Sequence, residues 1–302
     1  MDTPIFAAQT AQPARPVAQV RRFTLGKVFI YLFLFGMSAF FLFPLVWMIL
    51  SSFKPPTDIA AIPLRFDIST FSLDNYEAML RNVPILSGFK NTLVVVLLKG
   101  SLTLVFAPLA AYAFAKLRFR GRQFLFNIVL ATLMLPPIVM LIPLLLQMGT
   151  LGWINTFQAL VLPGAVGAFY IFLMRQQFAD VPDELLDAGR VDGCSSFQLY
   201  RLIVLPMMRP ALAALAILVF LDVYNDFVWP ALVINSIDRQ TLQVMLSYLY
   251  TQINNAAVGT TGSNAWGQVM AASTVATVPL LLVFIFLQRH FIRGIMAGAL
   301  KG

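Results

Sequence analysis

Long apolar runs separated by short polar stretches fill the chain from about residue 28 to residue 287. Six of them, at 28–50, 92–116, 124–147, 157–174, 210–233 and 266–287, approach or exceed the roughly 20 residues that cross a bilayer at about 1.5 Å each. This pattern predicts an all-α integral membrane protein with six transmembrane helices spread over residues 25–302. The first run could be mistaken for a secretory leader, but its 23 residues exceed a leader core and no small-x-small cleavage pattern follows it. It reads as a retained span. Residues 1–24 form a cytoplasmic tail whose Ala-, Pro- and Gln-rich start has no apolar period, and they are expected to be disordered.

Composition removes the main competitor. Charged residues make up 11% of the chain and hydrophobic residues 59%, whereas soluble domains carry about 25% charged residues. Six such runs would leave too little polar surface to cover them in water. With the N-terminus inside, fifteen Lys and Arg residues fall on the cytoplasmic side and five outside (Lys54, Arg65, Arg81, Lys90 and Arg239). That bias predicts an N-in, C-in topology. It also accounts for the net charge of +8. The cations are dispersed over span ends and form no single patch, so no nucleic-acid partner is implied. Cys194 has no second cysteine to pair with, and nothing near it marks a nucleophile or a metal cluster.

Motifs for chemistry are missing. The sequence has no G-x-x-x-x-G-K-[ST] phosphate loop, no H-E-x-x-H and no G-x-S-x-G, and its single histidine, His290, lies at the inner end of the last run. An enzyme is therefore not expected, and neither catalytic residues nor a metal site is assigned. Ionisable residues inside spans are functional candidates. Lys99 and Asp222 lie at similar depth, about 15 Å from the outer ends of their runs. Asn225 and Asp226 follow Asp222 at i+3 and i+4, on one helical face. Lys99 is expected to pair with Asp222 or Asp226, or to line a wet pathway with them; a purely structural ion pair fits the sequence equally well. Tyr224, Asn225, Asp226 and Trp229 offer hydrogen bonds and an aromatic face to a polyhydroxylated solute, or serve to lock helix packing.

One stretch interrupts the apolar pattern. From residue 180 to residue 210 the chain holds five acidic residues and three arginines. Asp180 is suited to cap a helix, Pro182 to its first turn, and Asp183 and Glu184 to its positive end. That helix should run to about Asp192 and stop at Gly193. Leu185, Ala188, Gly189 and Asp192 share one face, with two very small side chains that let another surface approach the backbone. A second helix should start at Ser195, with Gln198 closing a capping box. The two form a rigid peg on the cytoplasmic face, fitted to a soluble partner. The alternative, a loop lying on lipid headgroups, is disfavoured by its acidic residues, because the inner leaflet is negative.

The segment 180–206 resembles the E-A-A-x-x-x-G-x9-I-x-L-P loop of ABC importer membrane subunits. Here it reads Asp187-Ala188-Gly189, then Gly193, Ile203 and Leu205-Pro206, with every spacing kept. Asp187 stands for the usual Glu and Gly189 for the second Ala. Further stretches resemble carbohydrate importer permeases: FSLDNY at 71–76, RFRGR at 118–122, LPP at 135–137, YNDFVWP at 224–230 and QRHFIRGIMAGALKG at 288–302. The likeness covers nearly all of residues 25–302 and is greatest to the second, six-span subunit of maltose-type systems.

That resemblance implies a type I ABC importer permease fold in the plasma (bacterial inner) membrane, among its lipids. It implies that Glu184, Asp187, Ala188, Gly189, Arg190, Asp192 and Gly193 couple this chain to two cytoplasmic ATPase subunits, which bind ATP and Mg; this chain needs no cofactor. It further implies a second permease subunit, paired as a heterodimer. An extracytoplasmic solute-binding protein would dock on the outer segments 53–89 and 235–265 and deliver a sugar, oligosaccharide or polyol. Importers of the same build for a polyamine or phosphate ester are the alternative. A stand-alone secondary transporter is more remote, since neither an inverted repeat nor a relay of membrane carboxylates is evident.

Overall fold

The computed structural model describes residues 25–59, 67–257 and 263–299. The expected tail at 1–24 lies outside them, as do the side chains of 252–265 and 287–302, including His290. Every regular element among the described residues is helical. In order these are α1 (Leu25–Ser52), α2 (Pro56–Ile59), α3 (Asp74–Asn82), α4 (Ile85–Lys116), α5 (Arg122–Leu133), α6 (Pro137–Thr150), α7 (Phe157–Val161) and α8 (Ala168–Ala179). There follow α9 (Asp183–Val191), α10 (Ser196–Leu199), α11 (Leu205–Met207), α12 (Arg209–Asn225), α13 (Val228–Val233), α14 (Leu242–Ala257) and α15 (Ser263–Ala299). A π-helical turn, Tyr200–Val204, joins α10 to α11.

The chain divides into two contact units, Met1–Trp47 and Met48–Gly302. The described part of the first is a continuous apolar helix, within which Phe43 stacks on Trp47. In the second, α4 is the central rod. It packs on α8, α12 and α14. Two apolar clusters form around it. One gathers Tyr112, Met174, Phe178, Leu186, Leu199, Leu215 and Trp229; the other gathers Met79, Ile85, Tyr224, Leu242, Met245 and Ala272.

Three expected spans are single helices: 28–50 lies within α1, 92–116 within α4, and 266–287 within α15. The other three are broken, and proline explains where. In 124–147 the helix stops at Leu133, and α5 and α6 meet at a bend of 100°. Pro136 and Pro137 supply no amide to the carbonyls four residues back, and each clashes with the preceding turn. In 157–174 the helix yields after Val161, around Pro163 and Gly164, whose φ is +70°. In 210–233 α12 ends at Asn225, Asp226 is extended, and α13 begins at Val228. Pro230 cannot bond the Asp226 carbonyl, so the helix opens there. By length and apolarity, three helices among the described residues could each cross a membrane alone, and up to five crossings result if α5 with α6, and Ser196–Met207 with Arg209–Asn225 (bent by 81°), each count as one.

Candidate functional site

The polar loop after α8 is a capped helical hairpin. Helix α9 starts at Asp183 with Pro182 at its N-cap, whereas Asp180, expected to cap it, closes α8 instead. Asp183 and Glu184 occupy the first turn, where the helix dipole favours anions. At the far end the Cys194 amide donates to Gly189 O (2.9 Å) and the Gly193 amide to Arg190 O (3.0 Å). With Gly193 at φ +83° this is a complete Schellman stop. The chain then turns directly into α10. Ser195 Oγ accepts from the Gln198 amide (3.3 Å), and Gln198 Oε1 accepts from the Ser195 amide (2.7 Å). The expected capping box is therefore made.

The hairpin buries one face. Leu186 and Gly189 point inward, while Glu184, Leu185, Asp187, Ala188, Arg190, Asp192 and Gly193 are exposed. The face expected from the helical wheel is thus divided: Gly189 does not join Ala188 on an outer ridge. A Cβ on Gly189 would lie 2.5 Å from Leu199 Cδ2 and 3.0 Å from Ile203 Cδ1. Glycine is present because the second arm of the hairpin closes directly on its backbone. Gly189→Leu should force Leu199 and Ile203 out, at a cost of about 1–3 kcal/mol for overpacking, and should raise protease cleavage within 183–206 in membrane vesicles. Asp187 forms an ion pair with Arg190 one turn on.

Lys116, Val191 and Phe197 are not among the coupling residues expected from the sequence. Val191 is 88% exposed and Phe197 60% exposed, so together with Leu185 they give the hairpin an apolar outer surface beside its charges. For Val191 the signal is an apolar residue between Arg190 and Asp192. Lys116, the last residue of α4, donates from Nζ to Val181 O (2.6 Å), Asp183 Oδ1 (2.7 Å) and Ala179 O (3.3 Å). The bond and charge of Lys116 hold the Asp183 carboxyl below the usual carboxylate range.

A second polar group lies among α4, α8 and α12. Tyr170 Oη donates to Asp222 Oδ2 at 2.9 Å. Lys99 is half-buried, with its Nζ 3.8 Å from the position a Cβ would take on Gly164. Among the described residues no ion pair within 4.0 Å joins Lys99 to Asp222 or Asp226. The expected direct pairing is not made. Nor do Asp222, Asn225 and Asp226 form one helical stripe, because α12 ends between them. Asp226 accepts from the Trp229 amide (3.4 Å) at the start of α13, and Asn225 Nδ2 bonds back to Leu221 O (2.8 Å). Tyr224 is fully buried and donates to Ala276 O (2.7 Å); Trp229 is buried, and its Nε1 donates to Ala159 O (2.8 Å). Those two lock helices together. Asp222 and Asn225 remain exposed on the bundle surface.

Residues 103–297 match the family described as the inner membrane component of binding-protein-dependent transport systems. The chain belongs to that family. The match takes in the α9–α10 hairpin and Asp222, while Lys99 lies four residues before its start. Among curated relatives, this permease is 37% identical over 263 residues to the arabinooligosaccharides transport system permease protein AraQ of Halalkalibacterium halodurans, spanning 86% of this chain and 91% of the relative. It is 34% identical over 260 residues to the lactose transport system permease protein LacG of Rhizobium radiobacter, spanning 86% and 91%. Its fold is similar to that in a crystal structure of a bacterial ABC transporter involved in the import of the acidic polysaccharide alginate. The TM-score there is 0.76 over 88% of this permease and 96% of that chain, at 22% identity.

Proposed function

We propose that this permease is the membrane-spanning half-channel of an ATP-driven importer for a sugar, oligosaccharide or polyol. The observation that carries the proposal is the α9–α10 hairpin: a short helix closed at its C-terminus by a Schellman turn, followed by a capping box, bonded to the end of α4 through Lys116, and presenting Glu184, Asp187, Ala188, Val191 and Phe197 outward. The named cargoes of the arabinooligosaccharide and lactose relatives support the sugar class. In this reading the chain crosses the membrane six times, with the broken runs 124–147, 157–174 and 210–233 counted as one crossing each. Both termini and the hairpin face the cytoplasm, as the distribution of Lys and Arg favours.

The partners follow from the parts. Partner ATPase subunits bind ATP with Mg and supply the energy; the hairpin seats against them and moves with them. ATP drives the permease only through different affinities for its inward- and outward-facing states, and the hairpin turns that difference into rigid-body rocking of the bundle. Asp222 and Asn225 are exposed on the bundle at span depth, where a carboxylate facing lipid is costly. They therefore face a second permease subunit or the watered path between the two, with Lys99, Tyr170 and Asp226 behind them. A solute-binding protein meets the outer ends.

Reconstitution tests this. Proteoliposomes holding the permease, its second subunit, the ATPases and the binding protein should accumulate the sugar found bound to that binding protein, and only with ATP. Asp187→Lys should lower binding-protein-stimulated ATP hydrolysis about tenfold or more, within the usual range of coupling effects. Uphill uptake by the permease without the ATPases would overturn the importer reading. Cargo displaced by a polyamine or phosphate ester but not by sugars would overturn the carbohydrate class.

A further inference from the structure

The ammonium of Lys116 has three N–H donors, and the fold surrounds it with three acceptors that belong to consecutive parts of the chain. Ala179 O is on the last residue of α8, Val181 O is in the connector, and Asp183 Oδ1 is on the first residue of α9. The side chain is 7% exposed, against 75% for Asp183. The bonds are chemically matched. Carbonyls at a helix C-terminus lack intrahelical donors and attract a cation, and a carboxylate suits the start of the next helix. One side chain thus closes the junction of three helices.

What the junction connects gives it a consequence. Below it, Leu186 and Gly189 of α9 rest on apolar side chains, whose contacts resist compression but have no direction. The Lys116 bonds are directional, so they fix the orientation and register of α9 against α4 and α8 as well as its distance. Above it, α4 continues as one helix from Lys116 back past Thr103, which bonds Ala165 O (2.5 Å), to Lys99, about 26 Å away along the axis at 1.5 Å per residue. The rod that ends at the hairpin therefore carries the half-buried lysine of the intramembrane polar group.

We infer that Lys116 is a positioning residue that transmits movement of the α9–α10 hairpin to α4 and α8, and so to the Lys99–Asp222 region. This rests on the importer reading above. Without the clasp, the hairpin still follows the ATPases, but α4 follows the hairpin less closely. ATP is then hydrolysed with less solute moved.

The experiment uses the complete complex in proteoliposomes, reading solute taken up per ATP hydrolysed and the amount of ATPase subunit co-purified. Lys116→Met keeps the stem and removes the donors; Asp183→Asn alters one exposed acceptor and puts folding at little risk. The expected ratio falls about fivefold or more for Lys116→Met and about twofold for Asp183→Asn, with the complex assembled as in the parent. Lys116→Arg, which keeps the charge, should recover part of the loss. Parental ratios in both variants would overturn the inference. If Lys116→Met does not assemble, the ratio in Asp183→Asn decides alone. ATP-independent uptake by the parent complex would instead remove the importer reading, and the clasp with it.

Discussion

Gly193→Pro is expected to abolish ATP-driven uptake while the chain still inserts in the membrane. Gly193 sits at φ +83°, and its amide donates to Arg190 O. Proline fixes φ near −65° and has no amide, so both features are lost together, at about 3 kcal/mol or more. The residue before a proline is also driven out of the helical region, yet Asp192, at φ −73° and ψ 2°, closes α9. The Cys194–Gly189 bond and the Ser195 capping box depend on the chain reversing at this point, so the second arm would leave the first. Leu199 and Ile203 would then no longer cover Gly189. Insertion should survive because the long apolar helices do not rely on this turn.

The control is Gly193→Ala. No atom lies within 4 Å of a Cβ built there, so its cost is limited to left-handed strain, about 1–2 kcal/mol. Uptake should fall only partly, and protease cleavage near 193 should rise modestly. A Gly193→Pro permease that transports like the parent would show that the hairpin does not act as a rigid body.

The second large effect is expected at the other end of the bundle. A Cβ on Gly267 would lie 2.2–2.6 Å from the side-chain atoms of Asn75. Asn75 is buried and uses its Nδ2 twice, on Ser52 O (2.9 Å) and Lys54 O (2.8 Å). Beside it Ser52 Oγ meets Tyr76 Oη at 2.7 Å, and Asn82 Nδ2 donates to Gln268 Oε1 at 2.8 Å. This polar knot ties α3 to Ser52 and Lys54 and, through Asn82, to α15. Gly267→Leu must expel the amide and strand two buried carbonyls. At about 1–3 kcal/mol for each unsatisfied group, the purified permease should lose most of its thermal stability. The mechanism has a signature. Gly267→Ala should be damaging alone but nearly harmless in an Asn75→Ala background, since residues that share one contact are not additive. Additive losses would mean that glycine is needed there for another reason.

These two glycines differ in how far the sequence reveals them. Gly193 was legible because a helix stop is local: an acidic first turn, a glycine, then Ser195 and Gln198 three apart describe the hairpin within a dozen or so residues. Gly189 was only half legible. Its small size was visible, but the wheel placed it on an outer ridge, and only the return of Leu199 and Ile203 shows that it is sealed inside. Gly267 carries no local signal, because the side chain that excludes a Cβ comes from residue 75.

The same division runs through the whole molecule. Apolar run length and the loop motif together were enough for the helical class, the family and the position of the hairpin, since span length, caps and turns are set by neighbouring residues. Tertiary structure decided what lies opposite each group. It gave Asp222 to Tyr170 and left Lys99 beside Gly164, turned Tyr224 and Trp229 into helix locks, and brought Lys116 to Asp183 across 67 positions of chain. Hydrogen bonds act over about 3 Å, and which distant groups come within that reach depends on how the helices break and pack.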